Sequence, residues 1–196
     1  MSSEFALGME WTAVVLNILF TILIGLEKRI GWLFGFVASV ISVVLYQALD
    51  AWLMALLNVF YGVMGIYGWW AWGNATEEKR ITRFGLSKHL VLLLVGSAAT
   101  GLLVWAMKHW QVPGTYQGME AFIASFAIIA TWLMSAKALE NWIYWTIGDV
   151  VAVVFNFLIG FNGYALLNLV YIGLAVAGYI RWSRAYNAQL KPVPTA

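Results

Sequence analysis

The sequence predicts an all-α integral membrane protein of seven transmembrane helices, arranged as three, one and three. Three observations carry that expectation. The 196 residues are 63% hydrophobic and only 10% charged, whereas soluble domains hold about 25% charged residues and about 45–50% apolar ones. Seven apolar segments are long enough to cross a hydrocarbon core of about 30 Å. The first three of these segments also resemble the last three.

The segments cover residues 8–26, 31–47, 51–73, 89–108, 119–136, 140–158 and 162–182. The opening MSSEFALGME has two Glu and no Lys or Arg, unlike the positive start of a secretory signal, so the first run reads as a retained helix. Glu27-Lys28-Arg29 breaks it from the second, and Asp50 marks the turn into the third. Residues 74–88 form the one long charged loop. Pro113-Gly114 is a turn signal between the fourth and fifth helices. Lys137 to Glu140 and Gly160 to Gly163 are tight turns, and the polar tail ending KPVPTA is expected to be disordered. The domains are therefore residues 1–88 (first repeat with its loop), 89–118 (linker helix and loop), 119–182 (second repeat) and 183–196 (tail).

Charge sets the orientation. Ten of the eleven Lys and Arg fall on one side of a seven-crossing topology, and only Lys108 falls on the other. The positive-inside rule then puts the N-terminus outside and the C-terminus in the cytoplasm. With no Cys, there is no disulfide framework and no thiolate ligand. No GxxxxGK[ST] loop is present. His89 and His109 stand about 30 Å apart at the ends of the fourth helix and cannot share a metal. An enzyme, a resident cofactor and a nucleic-acid partner all lack support.

The repeat reads in two registers. Leu26-Glu27, Trp32, Gly35 and Val37 align with Leu139-Glu140, Trp145, Gly148 and Val150 at a spacing of 113. Ala55-Leu56-Leu57-Asn58 recurs as Ala165-Leu166-Leu167-Asn168, followed by Tyr61 with Tyr171, Gly68 with Gly178 and Trp72 with Trp182, at 110. Both copies start outside, so they are parallel repeats joined by an inversion helix, a SWEET-like plan. Such transporters bind substrate near the midplane between their halves.

The sixth segment holds the candidate site. Asp149 lies nine residues past Glu140, roughly 13.5 Å along a helix, near the bilayer midplane. An acid there costs about 2.5–3.5 kcal/mol or more unless a partner, cavity or ligand receives it. Trp142, Trp145, Thr146, Asp149 and Asn156 share one helical face. The repeat adds Asn58, Tyr61, Asn168 and Tyr171, and the second helix adds Trp32 and Gln47. The competing assignment is structural: Trp as an interface anchor, Asn and Asp as interhelical hydrogen-bonding groups. A non-transporting membrane receptor built on such contacts is the alternative class.

Glu140-Asn141-Trp142-x-x-Trp145-x-x-x-Asp149 and Tyr67-Gly68-Trp69-x-Ala71-Trp72 resemble the PnuC family of bacterial vitamin transporters over nearly the whole chain. The resemblance implies facilitated uptake of nicotinamide riboside across the inner membrane, trapping by a cytoplasmic kinase, and a homo-oligomer, trimeric in that family. Carried over, Trp142, Trp145 and Asp149 line the site. Nicotinamide riboside members have Asn where this chain has Asp149, so thiamine stands as the alternative substrate. Both vitamins are aromatic cations, which suits indoles around a carboxylate.

Overall fold

The computed structural model describes residues 3–48, 52–73, 79–160 and 162–190. The turn at Asp50, residues 74–78 and the tail 191–196 lie outside them. Seven helices follow in order: α1 Ser3–Gly25, α2 Gly31–Ala48, α3 Trp52–Ala71, α4 Leu86–His109, α5 Gln117–Ser135, α6 Asn141–Leu158 and α7 Asn162–Gln189. Each is long and apolar enough to cross a membrane. Among the described residues, extended pairing is limited to one isolated bridge, Thr82 with Ala138.

Three ends differ from expectation by three residues or more. α1 begins at Ser3, five residues before the apolar run, α4 begins at Leu86, inside the stretch read as loop, and α7 runs seven residues beyond 182. Each extension mixes polar residues with apolar ones, so a hydropathy boundary stops where the helical hydrogen bonding need not.

The chain forms two compact units, Met1–Arg80 and Ile81–Ala196. In the first, α2 packs against both α1 and α3. Gly65 and Gly68 let the α3 backbone come close. A Cβ on Gly65 would stand 3.0 Å from the Phe36 Cβ, and one on Gly68 2.3 Å from the Trp32 ring. Trp32 meets Trp72 edge-on at 5.6 Å between centroids, with Phe20 at 5.6 Å on its other side. The every-third-residue glycines of α3 are thus a packing surface for α2.

In the second unit, α4 packs on α5, α5 on α6, and α6 on α7. Phe126, Ile129, Ala130, Leu133, Ala138 and Tyr144 form its core. At Gly96 the α4 backbone comes so near this core that a Cβ would lie 2.8 Å from Phe126 Cζ. The α6–α7 contact repeats the α2–α3 one. Trp142 meets Trp182 edge-on at 5.4 Å, and a Cβ on Gly178 would stand 2.7 Å from the Trp142 ring.

This likeness corrects the register. Every helix end from Gly25 to Ala48 recurs 110 residues later, from Ser135 to Leu158, and α3 and α7 begin 110 apart. The left-handed residue of the turn recurs too, Glu27 at φ 58° and Lys137 at φ 51°. So do its hydrogen bonds: Lys28 N–H donates to Leu23 O and Ala138 N–H to Leu133 O, at 2.8 and 2.9 Å. Trp32 therefore corresponds to Trp142, not to Trp145, and no three-residue difference exists in the following turn. A slip of three residues turns a helix by about 300°, which leaves an apolar, Trp-rich pattern nearly unchanged. In the true register Gly35, Phe36 and Ser39 stand where Trp145, Thr146 and Asp149 stand in the second unit.

Candidate functional site

Asp149 is eight residues into α6, about 12 Å from its start, and is half-buried. Among the described residues it makes no hydrogen bond and no ion pair, unlike Glu140, which pairs with Arg83. Its counterpart Ser39 is buried, and its hydroxyl donates back to Gly35 O at 2.8 Å. The acid therefore belongs to one unit alone. In apolar surroundings an unpaired carboxylate is costly, and that cost is what marks the position.

Tyr171 of α7 lies within electrostatic reach of Asp149, so the fold brings these two expected residues together across the α6–α7 contact. Thr146 shares their face, its hydroxyl donating to Trp142 O at 2.8 Å. Trp145 is half-buried against the Phe126 and Tyr144 core, and its indole N–H is buried with no acceptor among the described residues. Beside these, a Cβ on Gly148 would meet nothing within 4 Å, although its counterpart Ala38 is fully buried. Within its unit the α6 surface is thus open at Gly148, where the first unit's is covered.

Other expected residues have a different setting. Trp32 and Trp142 are each 1% exposed, wedged against Gly68 and Gly178 within their own units. Their indoles pack against the neighbouring helix of the same unit, and each N–H is buried with no acceptor among the described residues. Helical spacing fixes the direction of a side chain but not which neighbour covers it. The amides of Asn58, Asn156 and Asn168 each donate to the carbonyl four residues back, Met54, Ala152 and Tyr164, at 2.8, 2.9 and 2.8 Å. These are bonds within a helix rather than between helices. Tyr61 is half-buried beside Phe60, and Gln47 is exposed near the end of α2.

One cluster was not anticipated. The segment ahead of α4 lies across the α5–α6 turn: Thr82 N–H donates to Lys137 O, and Leu139 N–H donates to Thr82 O, both at 2.9 Å. Arg83 Nε and the Phe84 N–H donate to the two oxygens of Glu140 at 3.3 and 3.2 Å. His89 Nδ1 lies 3.1 Å from Tyr144 Oη. The available signal was Glu140 itself, an acid at a membrane helix start facing a chain with a single long basic loop.

The arrangement defines a polytopic membrane protein with an unpaired acid inside one of two similar helix triplets. Residues 7–184 match the family described as nicotinamide mononucleotide transporter, and the chain belongs to that family. It is 26% identical to the nicotinamide riboside transporter PnuC of Escherichia coli K12, with 89% of this chain and 85% of that protein covered. It is also 26% identical to the riboflavin/roseoflavin transporter RibM of Streptomyces davaonensis, over 71% of this chain and 74% of the relative. The fold matches the crystal structure of the vitamin B3 transporter PnuC with a TM-score of 0.75 at 18% identity, covering 92% of this chain and 82% of that one.

Proposed function

We propose that this chain carries nicotinamide riboside across the bacterial inner membrane by facilitated diffusion. The observation behind this reading is Asp149, a mid-helix carboxylate without a cation among the described residues, bordered by Trp145, Thr146 and Tyr171. A pyridinium guest supplies the missing positive charge. Stacked on a desolvated indole it gains up to about 2 kcal/mol, and its attraction to Asp149 offsets the desolvation of both ions. The family description names the mononucleotide, but a phosphate near Asp149 would meet like charge. The riboside form suits the site better, and the PnuC relative is named for it.

In this reading the two triplets are parallel, SWEET-like repeats with the site near the midplane. The N-terminus is outside and the C-terminus is cytoplasmic. Assembly as a homotrimer and trapping by a cytoplasmic kinase follow from the family resemblance. Uptake of labelled nicotinamide riboside into proteoliposomes without ATP tests the proposal. Flux lowered by Asp149→Ala supports it; flux untouched by both Asp149→Ala and Trp145→Ala refutes the site.

Riboflavin is the second reading, favoured by the RibM relative. Its ring is uncharged at neutral pH and has no need of a carboxylate. A flavin carrier would keep riboflavin uptake in Asp149→Ala, whereas uptake of thiamine, a cation, would fall as that of nicotinamide riboside does.

A further inference from the structure

The geometry points to Glu140 as a positioning residue: with Arg83 and Phe84 it fastens the segment ahead of α4 onto the first turn of α6, and so sets the face that carries Trp145 and Asp149. This rests on the transport reading for the meaning of that face, but not for the fastening itself.

Glu140 is only 7% exposed, although it is an acid at a helix terminus. Both its oxygens are used, one by the Arg83 guanidinium and one by the Phe84 N–H. Thr82 extends the attachment by one residue on the other side, pairing with Lys137 and Leu139. Four residues beyond Glu140, Tyr144 contacts His89 of α4 through its hydroxyl and by ring stacking at 5.8 Å. Trp145 follows directly. Phe84 packs on the same core as Trp145, so the strap and the binding face share a floor.

The first unit shows that the turn itself does not need the strap. There the same left-handed turn forms at Glu27 with the same backbone hydrogen bonds. The position of Glu140 is taken by Ile30, which is 43% exposed and whose side chain can accept nothing. The fastening is thus an addition confined to the unit that holds the unpaired acid. It joins α4 to α6 directly, beyond the packing of each on α5, so the fourth helix is part of the second body and not a free linker. A rigid first turn fixes the rotation of α6, and with it the direction of Asp149.

The test uses the purified full-length protein, with hydrogen exchange as the readout that needs no ligand. Glu140→Ala should raise amide exchange in residues 82–84 and through 141–149 by about tenfold or more. Glu140→Gln, which still accepts from Phe84, should restore most of the protection. In proteoliposomes, Glu140→Ala should weaken nicotinamide riboside uptake mainly through KM. Its effect should also be non-additive with Asp149→Ala, because both act on one face. Unchanged exchange over 141–149 in Glu140→Ala would overturn the inference, as would additive effects on uptake. A wild-type protein that moves no nicotinamide riboside would refute the transport reading alone, since the exchange experiment judges the fastening separately.

Discussion

Gly178→Ala should destabilise this protein through a single contact. The added Cβ would lie 2.7, 2.7 and 2.8 Å from Cε2, Cζ2 and Cη2 of Trp142, whereas carbon atoms rest about 3.5–4.0 Å apart. The ring must therefore retreat by about 1 Å. It has little room to do so, because Trp182 stands edge-on against it at 5.4 Å and the side chain is 1% exposed. Overpacking of this kind costs about 1–3 kcal/mol. For a chain of this size each kcal/mol shifts Tm by about 2–4 °C, so a loss of roughly 2–12 °C is expected. Differential scanning fluorimetry of the purified protein in one detergent measures it. Trp142→Phe, with a smaller ring, should recover part of the loss when combined with Gly178→Ala while being destabilising by itself. If Gly178→Ala melts with the wild type, or if Trp142→Phe gives no rescue, Trp142 is not wedged against Gly178.

Three further outcomes are expected. Asp149→Ala and Trp145→Ala should each lower nicotinamide riboside affinity by about tenfold or more, the equivalent of about 1.4 kcal/mol, read by tryptophan fluorescence titration and compared with thiamine and riboflavin. Gly148→Ala should leave Tm unchanged or raise it, since its Cβ meets nothing and Ala favours helix by about 0.8–1 kcal/mol. The same substitution should reduce uptake if the ligand passes the open α6 surface at Gly148; unaltered uptake would mean that it passes elsewhere. Finally, the chain has no Cys, so single substitutions report topology cleanly. Leu190→Cys should react with impermeant maleimide only after the cells are opened, and Val112→Cys should react on intact spheroplasts; the reverse pattern would invert the orientation.

Much of the fold was legible because a bilayer leaves few choices. Without water to satisfy the backbone, each long apolar run must be a helix or part of a closed barrel, so seven runs mean seven helices, as found. Asp149 was legible for the same reason: a charge within such a run is expensive wherever its side chain points. The repeat was legible where it carried an identical tetrapeptide, Ala55–Asn58 with Ala165–Asn168. It was misread in α2 and α6, where an apolar pattern tolerates a three-residue slip.

Side-chain partners were decided by the tertiary structure. Periodicity put Trp142, Trp145 and Asp149 on one face, but the approach of the α7 backbone at Gly178 makes the first of them a buried wedge. The same approach brings Tyr171 within reach of the acid. Arg83 and Glu140 are 57 residues apart, and no local pattern links them. By itself the sequence determined how many helices cross, and that one carries a buried charge, since solvation acts on each segment separately. Which groups meet that charge or fasten its helix depended on how segments distant in the chain pack, and packing is a property of pairs of surfaces that no single segment encodes.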